Sequence, residues 1–120
     1  MHELGIAQGI LDRAREAAGA HGAVRVTDLS ITITAAADFT QDSLEMYLEM
    51  LTSDDELFRG MNVHFAHEPA DAMCMNCGQQ FVACSRGDAC PTCARAVLRF
   101  DAQAPMVQLT DISVDEECEQ

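Results

Sequence analysis

The chain has 120 residues, enough for one domain with a modest core, or for one small domain with a sub-domain. Hydrophobic residues make up 48 % and charged residues 22 %, ordinary for a globular protein, but 20 acidic residues stand against 7 arginines and no lysine, for a formal charge of −13. Phosphate repels a chain this acidic, which argues against nucleic acid or an anionic membrane as partner and leaves cations or a basic protein surface. No stretch approaches the ~20 consecutive apolar residues of a membrane span, and no basic region followed by an apolar core marks a secretory signal. Position 1 is therefore expected to be the mature terminus of a cytoplasmic protein. In that reducing compartment, cysteines read as metal ligands or thiols before they read as disulfides.

In chain order, Leu4, Ala7, Leu11, Ala14 and Ala18 recur at spacings of three and four. They predict an amphipathic helix over residues 3 to 20, widened by Ile6, Ile10 and Ala17 and ended by Gly19 and Gly22. Val24 and Val26, then Leu29, Ile31 and Ile33, alternate as a strand with one change of phase. Thr40 can cap a second helix running to about Leu51, with Leu44, Leu48 and Leu51 as its buried line. Ser53 and Glu56 form a possible capping box for a short turn closed by Gly60. Val63 and Phe65 alternate with Asn62 and His64 in a second strand, and Val107, Leu109, Ile112 and Val114 mark a last one before a solvated DEECEQ tail. The expected fold is α+β: two helices on a three-stranded mixed sheet, with an inserted zinc-ribbon-like subdomain. The expected boundaries are 1–69 and 103–120 for the α/β domain and 70–102 for the insert.

The insert reads CMNCGQQFVACSRGDACPTC. Cys74 and Cys77 form one CxxC knuckle, Cys90 and Cys93 another, with twelve residues between the pairs. Two such knuckles supply four thiolates to one tetrahedral ion, the closed set that Zn²⁺ favours. Gly78 permits the tight turn after the first knuckle and Pro91 stiffens the second. The segment has few apolar residues of its own, so metal binding is expected to supply much of its folding free energy. A closed site leaves no position for substrate, and no nucleophile–base pair or phosphate loop appears elsewhere, so an enzyme is not expected. Cys84 and Cys118 lack a spaced partner and read as incidental thiols. His21 suits the C-terminal end of the first helix. His64 and His67, three apart on a strand, fall on opposite faces and read as structural or surface residues.

The N-terminus begins MHELGIAQGIL. The terminal amine of Met1 and the backbone nitrogen of His2 can close a five-membered chelate ring, and that nitrogen and the nearer imidazole nitrogen of His2 a six-membered one. Three nitrogens then lie in one plane, the geometry taken by Ni²⁺ or Cu²⁺. Glu3 can add a carboxylate or its own backbone nitrogen as fourth donor, and the bulky residue at position 2 disfavours removal of Met1.

MHELGIAQGIL at the terminus, HGAVRV before the first strand, and CMNCG with CPTC late in the chain together resemble the HypA/HybF family of nickel metallochaperones in NiFe-hydrogenase maturation. The resemblance runs over nearly the whole length. It implies Ni²⁺ carried at Met1, His2 and Glu3, structural Zn²⁺ held by Cys74, Cys77, Cys90 and Cys93, and an α/β nickel domain with the zinc domain inserted before the last strand. It also implies delivery to a hydrogenase large subunit together with a HypB-type GTPase, some members serving urease, and a monomer or weak homodimer. The chain departs from the family pattern twice: TAAADFT follows the first strand where a glycine-containing turn is usual, and Ala94 follows the second knuckle where a glycine is common. Two rival readings are a rubredoxin-like iron protein for electron transfer and a zinc-ribbon interaction module. The first leaves half the chain without a role, and the charge argues against the second as a nucleic-acid binder.

Overall fold

The computed structural model describes residues 2–101, 103 and 105–116. Met1, the His2 side chain and residues 117–120, Cys118 among them, lie outside the described set.

The first apolar stripe forms helix α1 (His2–Ala20). Ala7, Ile10, Leu11, Ala14 and Ala18 are all buried, three of them alanines that let a neighbouring element approach closely. After α1 the backbone turns at Gly22, whose φ of +64° a side chain would oppose. Strand β1 (Ala23–Thr34) carries the expected change of phase: Val26 and Leu29 are both fully buried although three apart.

Helix α2 (Gln41–Thr52) starts as its sequence predicts, with the Thr40 hydroxyl accepting from the Ser43 N–H at 3.1 Å. It buries Leu44 and Leu48 and packs against α1. The short turn that follows is a 3-10 helix (Glu56–Phe58), and its cap differs from the expected Ser53. Asp55 accepts from the Leu57 N–H at 3.1 Å, while the Ser53 hydroxyl donates back to the Met50 carbonyl at 3.1 Å. Ser53 ends α2 and does not begin the turn; Asp55, one residue before it, is the nearer acceptor. Asp55 is also held by Arg15 of α1 at 2.7 Å, and the Arg15 guanidinium lies 5.2 Å from the Phe58 ring centroid.

Strands β2 (Asn62–Glu68) and β6 (Val107–Glu116) flank β1 in a three-stranded mixed sheet of order β2-β1-β6. Between them the chain forms a second sheet that the sequence pattern did not announce. Its strands are β3 (Ala70–Cys74), β4 (Gln80–Ala83) and β5 (Leu98–Phe100), in the order β4-β3-β5 with both pairings antiparallel. Runs of three to five residues are too short for period-two alternation to stand out. The two helices, the mixed three-stranded sheet and the cysteine-bearing insert make up the expected α+β class.

Two compact units divide the described residues. One comprises Met1–Ile31, Phe39–Phe65 and Leu109–Gln120, and the other Thr32–Asp38 and Ala66–Gln108. The first contains the packed helices, and the second the cysteines among the described residues.

Gly9 sits inside α1 with no heavy atom within 4 Å of where a Cβ would stand, so only the helix's own entropy is at stake. Gly9→Ala should stabilise the protein by about 0.5–1 kcal/mol, read as a higher denaturant midpoint at unchanged slope.

Candidate metal centre

The second unit has a small buried core: Ala72, Cys74, Ala83 and Cys90 beside the residues of β1 and its turn. Ala72 on the central strand pairs with Phe81 on one side and Phe100 on the other, so a small side chain sits between two aromatic neighbours. The Arg86 guanidinium lies 5.4 Å from the Phe100 ring centroid and donates to the Ala36 carbonyl at 2.7 Å. Two of the buried residues are cysteines, so the thiol cluster occupies the place where a larger domain would put apolar side chains.

Each CxxC knuckle is built from the same backbone bonds. In the first, the Gly78 N–H donates to the Cys74 carbonyl at 2.8 Å and the Cys74 N–H to the Gln79 carbonyl at 2.9 Å. In the second, the Ala94 N–H donates to the Cys90 carbonyl at 2.9 Å and the Cys90 N–H to the Arg95 carbonyl at 2.9 Å. The residue after each second cysteine must take positive φ, +81° at Gly78 and +65° at Ala94. Ala94 is the one non-glycine residue in that region among those described, and a Cβ there costs energy. The departure from the family pattern at Ala94 thus changes the residue and keeps the turn.

The four sulfurs of Cys74, Cys77, Cys90 and Cys93 all lie within 4.8 Å of one another. Cys74 Sγ and Cys93 Sγ are 3.5 Å apart, and Cys77 Sγ and Cys90 Sγ 3.6 Å apart. Four thiolates about 2.3 Å from a shared ion would be about 3.8 Å from each other, so this donor set fits a tetrahedral ion. The thiols do not titrate alike. The Arg95 N–H, then the Asn76 side chain, favour the Cys93 thiolate and bring its pKa down to about 6. At Cys77 the Gln79 N–H favours the thiolate, but burial and the three neighbouring sulfurs outweigh it and push the thiol up to about 12. The metal-free cluster therefore holds protons, because four negative charges cannot gather in so small a space without a cation. Asn76 and the N–H groups of Gln79, Thr92 and Arg95 were not singled out in the sequence. Only the CxxC pattern itself signals such N–H groups, since any residue type supplies them.

Cys84 is exposed and stands outside the cluster, its N–H donating to the Asp88 carboxylate at 2.7 Å. His64 pairs with Asp28 at 2.9 Å, and neither His64 nor His67 joins the cysteines. Of the N-terminal residues, His2 is the first residue of α1 and Glu3 lies in its first turn, with its Oε2 3.4 Å from the Ser43 hydroxyl of α2. The main-chain N–H groups of a helix's first turn have no intrahelical acceptor, so those of His2 and Glu3 are left for other partners. Ser43 as a neighbour of Glu3 left no signal in the sequence, where the two stand forty residues apart.

Fold and site define a small α+β protein with a four-thiolate centre. Comparison with known proteins places it more narrowly. A family model described as "Hydrogenase/urease nickel incorporation, metallochaperone, hypA" matches residues 1–114. The chain is 32 % identical over 114 residues to the hydrogenase maturation factor HypA of Aeromonas hydrophila, covering 95 % of this chain and 99 % of that one. It is 31 % identical over 100 residues to the hydrogenase maturation factor HybF of Klebsiella pneumoniae, covering 83 % and 88 %. The solution structure of the Ni metallochaperone HypA from Helicobacter pylori shares the fold, with a TM-score of 0.65 at 13 % identity over 96 % of this chain and 98 % of that one. The chain belongs to the HypA family, nickel-incorporation metallochaperones of hydrogenase maturation.

Ala94→Gly should remove the left-handed strain and stabilise the cysteine unit by about 1 kcal/mol, with Gly78→Ala having the opposite sign. Metal release to a chelator, slower for Ala94→Gly and faster for Gly78→Ala, checks both.

Proposed function

We propose that this chain binds Ni²⁺ at its N-terminus, through the Met1 amine, the His2 backbone and imidazole nitrogens, and a donor from Glu3, and hands it to a NiFe-hydrogenase. The observation that carries the reading is the start of α1: main-chain nitrogens of residues 2 and 3 stand at a helix N-terminus, free of intrahelical bonds, in the two residues whose types bring an imidazole and a carboxylate. An amine, an amide nitrogen and an imidazole in one plane suit Ni²⁺. The α/β part, 1–69 and 103–120, carries this site.

The insert 70–102 holds structural Zn²⁺ through Cys74, Cys77, Cys90 and Cys93. The closed sulfur set supports zinc as a folding ligand over a catalytic ion, and the chain as a carrier with no catalytic step of its own. A HypB-type GTPase and the hydrogenase large subunit are the partners, met in the reducing cytoplasm, where thiols stay available to metal.

Metal analysis of the untagged protein should find one zinc per chain. Cys74→Ala should lose it and render residues 70–102 protease-sensitive while α1 and α2 persist. Zinc affinity should fall with acid, steeply below about pH 6, since the thiolate of Cys93 is protonated there and protons compete with the ion for its ligands. Full zinc content and normal protease resistance in Cys74→Ala would remove the assignment.

A nickel titration near neutral pH tests the N-terminal site. His2→Ala should abolish specific binding with zinc retained, and one extra residue before Met1 should weaken it by moving the amine out of the ring. Binding should decline through the imidazole range near ~6.5 as protons compete for the donors. Equal affinity in wild type and His2→Ala would end this reading.

A further inference from the structure

We infer that Ser43, on the first turn of α2, is a positioning residue of the nickel site that acts by holding the Glu3 carboxylate. The inference rests on the N-terminal nickel reading above and adds a residue to it.

Glu3 lies on the first turn of a helix, half exposed, and a glutamate in that setting sweeps several rotamers. Here one carboxylate oxygen has a partner: the Ser43 hydroxyl stands 3.4 Å from Oε2, in a part-buried contact. Ser43 is itself fixed. Its N–H is taken by the Thr40 hydroxyl at 3.1 Å, its helix is anchored by buried Leu44 and Leu48, and α2 packs on α1. The contact thus ties a mobile side chain next to His2 to a rigid neighbouring element, and does so at the N-terminal end of α2, where negative charge is favoured. The contact engages Oε2, so the carboxylate can turn Oε1 toward an ion while Oε2 stays on Ser43. Supporting the ligands of a metal by hydrogen bonds from an outer layer typically strengthens binding by fixing their orientation in advance.

The effect must run through Glu3, which makes it separable from any general damage to α2. In zinc-loaded full-length protein, with Ni²⁺ titrated in competition with a chromophoric chelator, Ser43→Ala should weaken nickel binding roughly tenfold. Ser43→Thr, which keeps the hydroxyl, should restore it. In a Glu3→Ala background, Ser43→Ala should have no further effect, because two changes that act through one contact are not additive. Zinc content and helix content should match wild type throughout.

Nickel affinity unchanged in Ser43→Ala, with His2→Ala still abolishing binding, overturns the role of Ser43 and leaves the N-terminal site standing. A loss in Ser43→Ala that persists undiminished in the Glu3→Ala background overturns it equally, since Ser43 would then act by another route. Unchanged binding in His2→Ala overturns the site and the inference together.

Discussion

Four sulfurs within 4.8 Å of one another set the terms for the cysteine-bearing unit. Without a cation such a cluster cannot ionise fully. Two of its thiols stand far apart in acidity, about 6 at Cys93, where the Arg95 N–H favours the thiolate, and about 12 at Cys77, where the Gln79 N–H is outweighed by burial and the neighbouring sulfurs. A divalent ion removes that conflict and turns mutual repulsion into four bonds to one centre. The three short strands depend on this outcome, since β3 ends at a ligand and the remaining buried side chains of the insert are small. Ala72 and Ala83 could not by themselves offset the entropy of ordering some thirty residues, at roughly 1–2 kcal/mol each.

The helical unit rests on a different balance. Alanines at 7, 14 and 18 and leucines at 11, 44 and 48 are buried, a mixture of small and large side chains that lets helices interdigitate. Arg15 adds a clamp: one guanidinium serves both the Asp55 carboxylate and the Phe58 ring, and Asp55 in turn caps the 3-10 turn. The Arg15 guanidinium, helped by the Leu57 N–H and opposed by burial, holds the Asp55 carboxyl below its usual range. The clamp is therefore intact above that range and weakens as pH falls through it. A packed helix pair provides a steady platform for the N-terminal turn of α1.

The two departures from the family pattern are absorbed by local chemistry. Where a glycine turn is usual, the Thr34 hydroxyl accepts from the Ala36 N–H at 3.2 Å and its carbonyl from the Ala37 N–H at 3.1 Å, so hydrogen bonds supply the turn. Ala35, Ala36 and Ala37 are buried, and Ala36 gives its carbonyl to Arg86. Small side chains fit that buried turn. At Ala94 no such substitute exists: the same knuckle bonds form, and the alanine bears a positive φ.

The sequence by itself determined the long elements and the four cysteines that gather in one cluster. Helix periodicity is carried by many residues at once, so α1 and α2 could be read from Leu4 to Ala18 and from Thr40 to Leu51, and the strands β1, β2 and β6 from their alternation. The paired CxxC knuckles named the four cysteines because both ligands of each knuckle are neighbours in the chain. What only the tertiary structure decided depends on residues far apart or on backbone atoms common to all residues. The strands β3, β4 and β5 are defined by their pairings, not by a pattern of their own. Asp55 displaced Ser53 as the cap because the Ser53 hydroxyl turns back to the Met50 carbonyl at the end of α2, and Arg15, forty residues earlier, holds Asp55 in place. The unequal acidities of the thiols arise from the Arg95 N–H at Cys93 and, at Cys77, from a Gln79 N–H outweighed by burial and neighbouring sulfurs, and Glu3 met Ser43 because two helices pack side by side. Periodicity records which face of an element is buried; it carries no record of what that face meets.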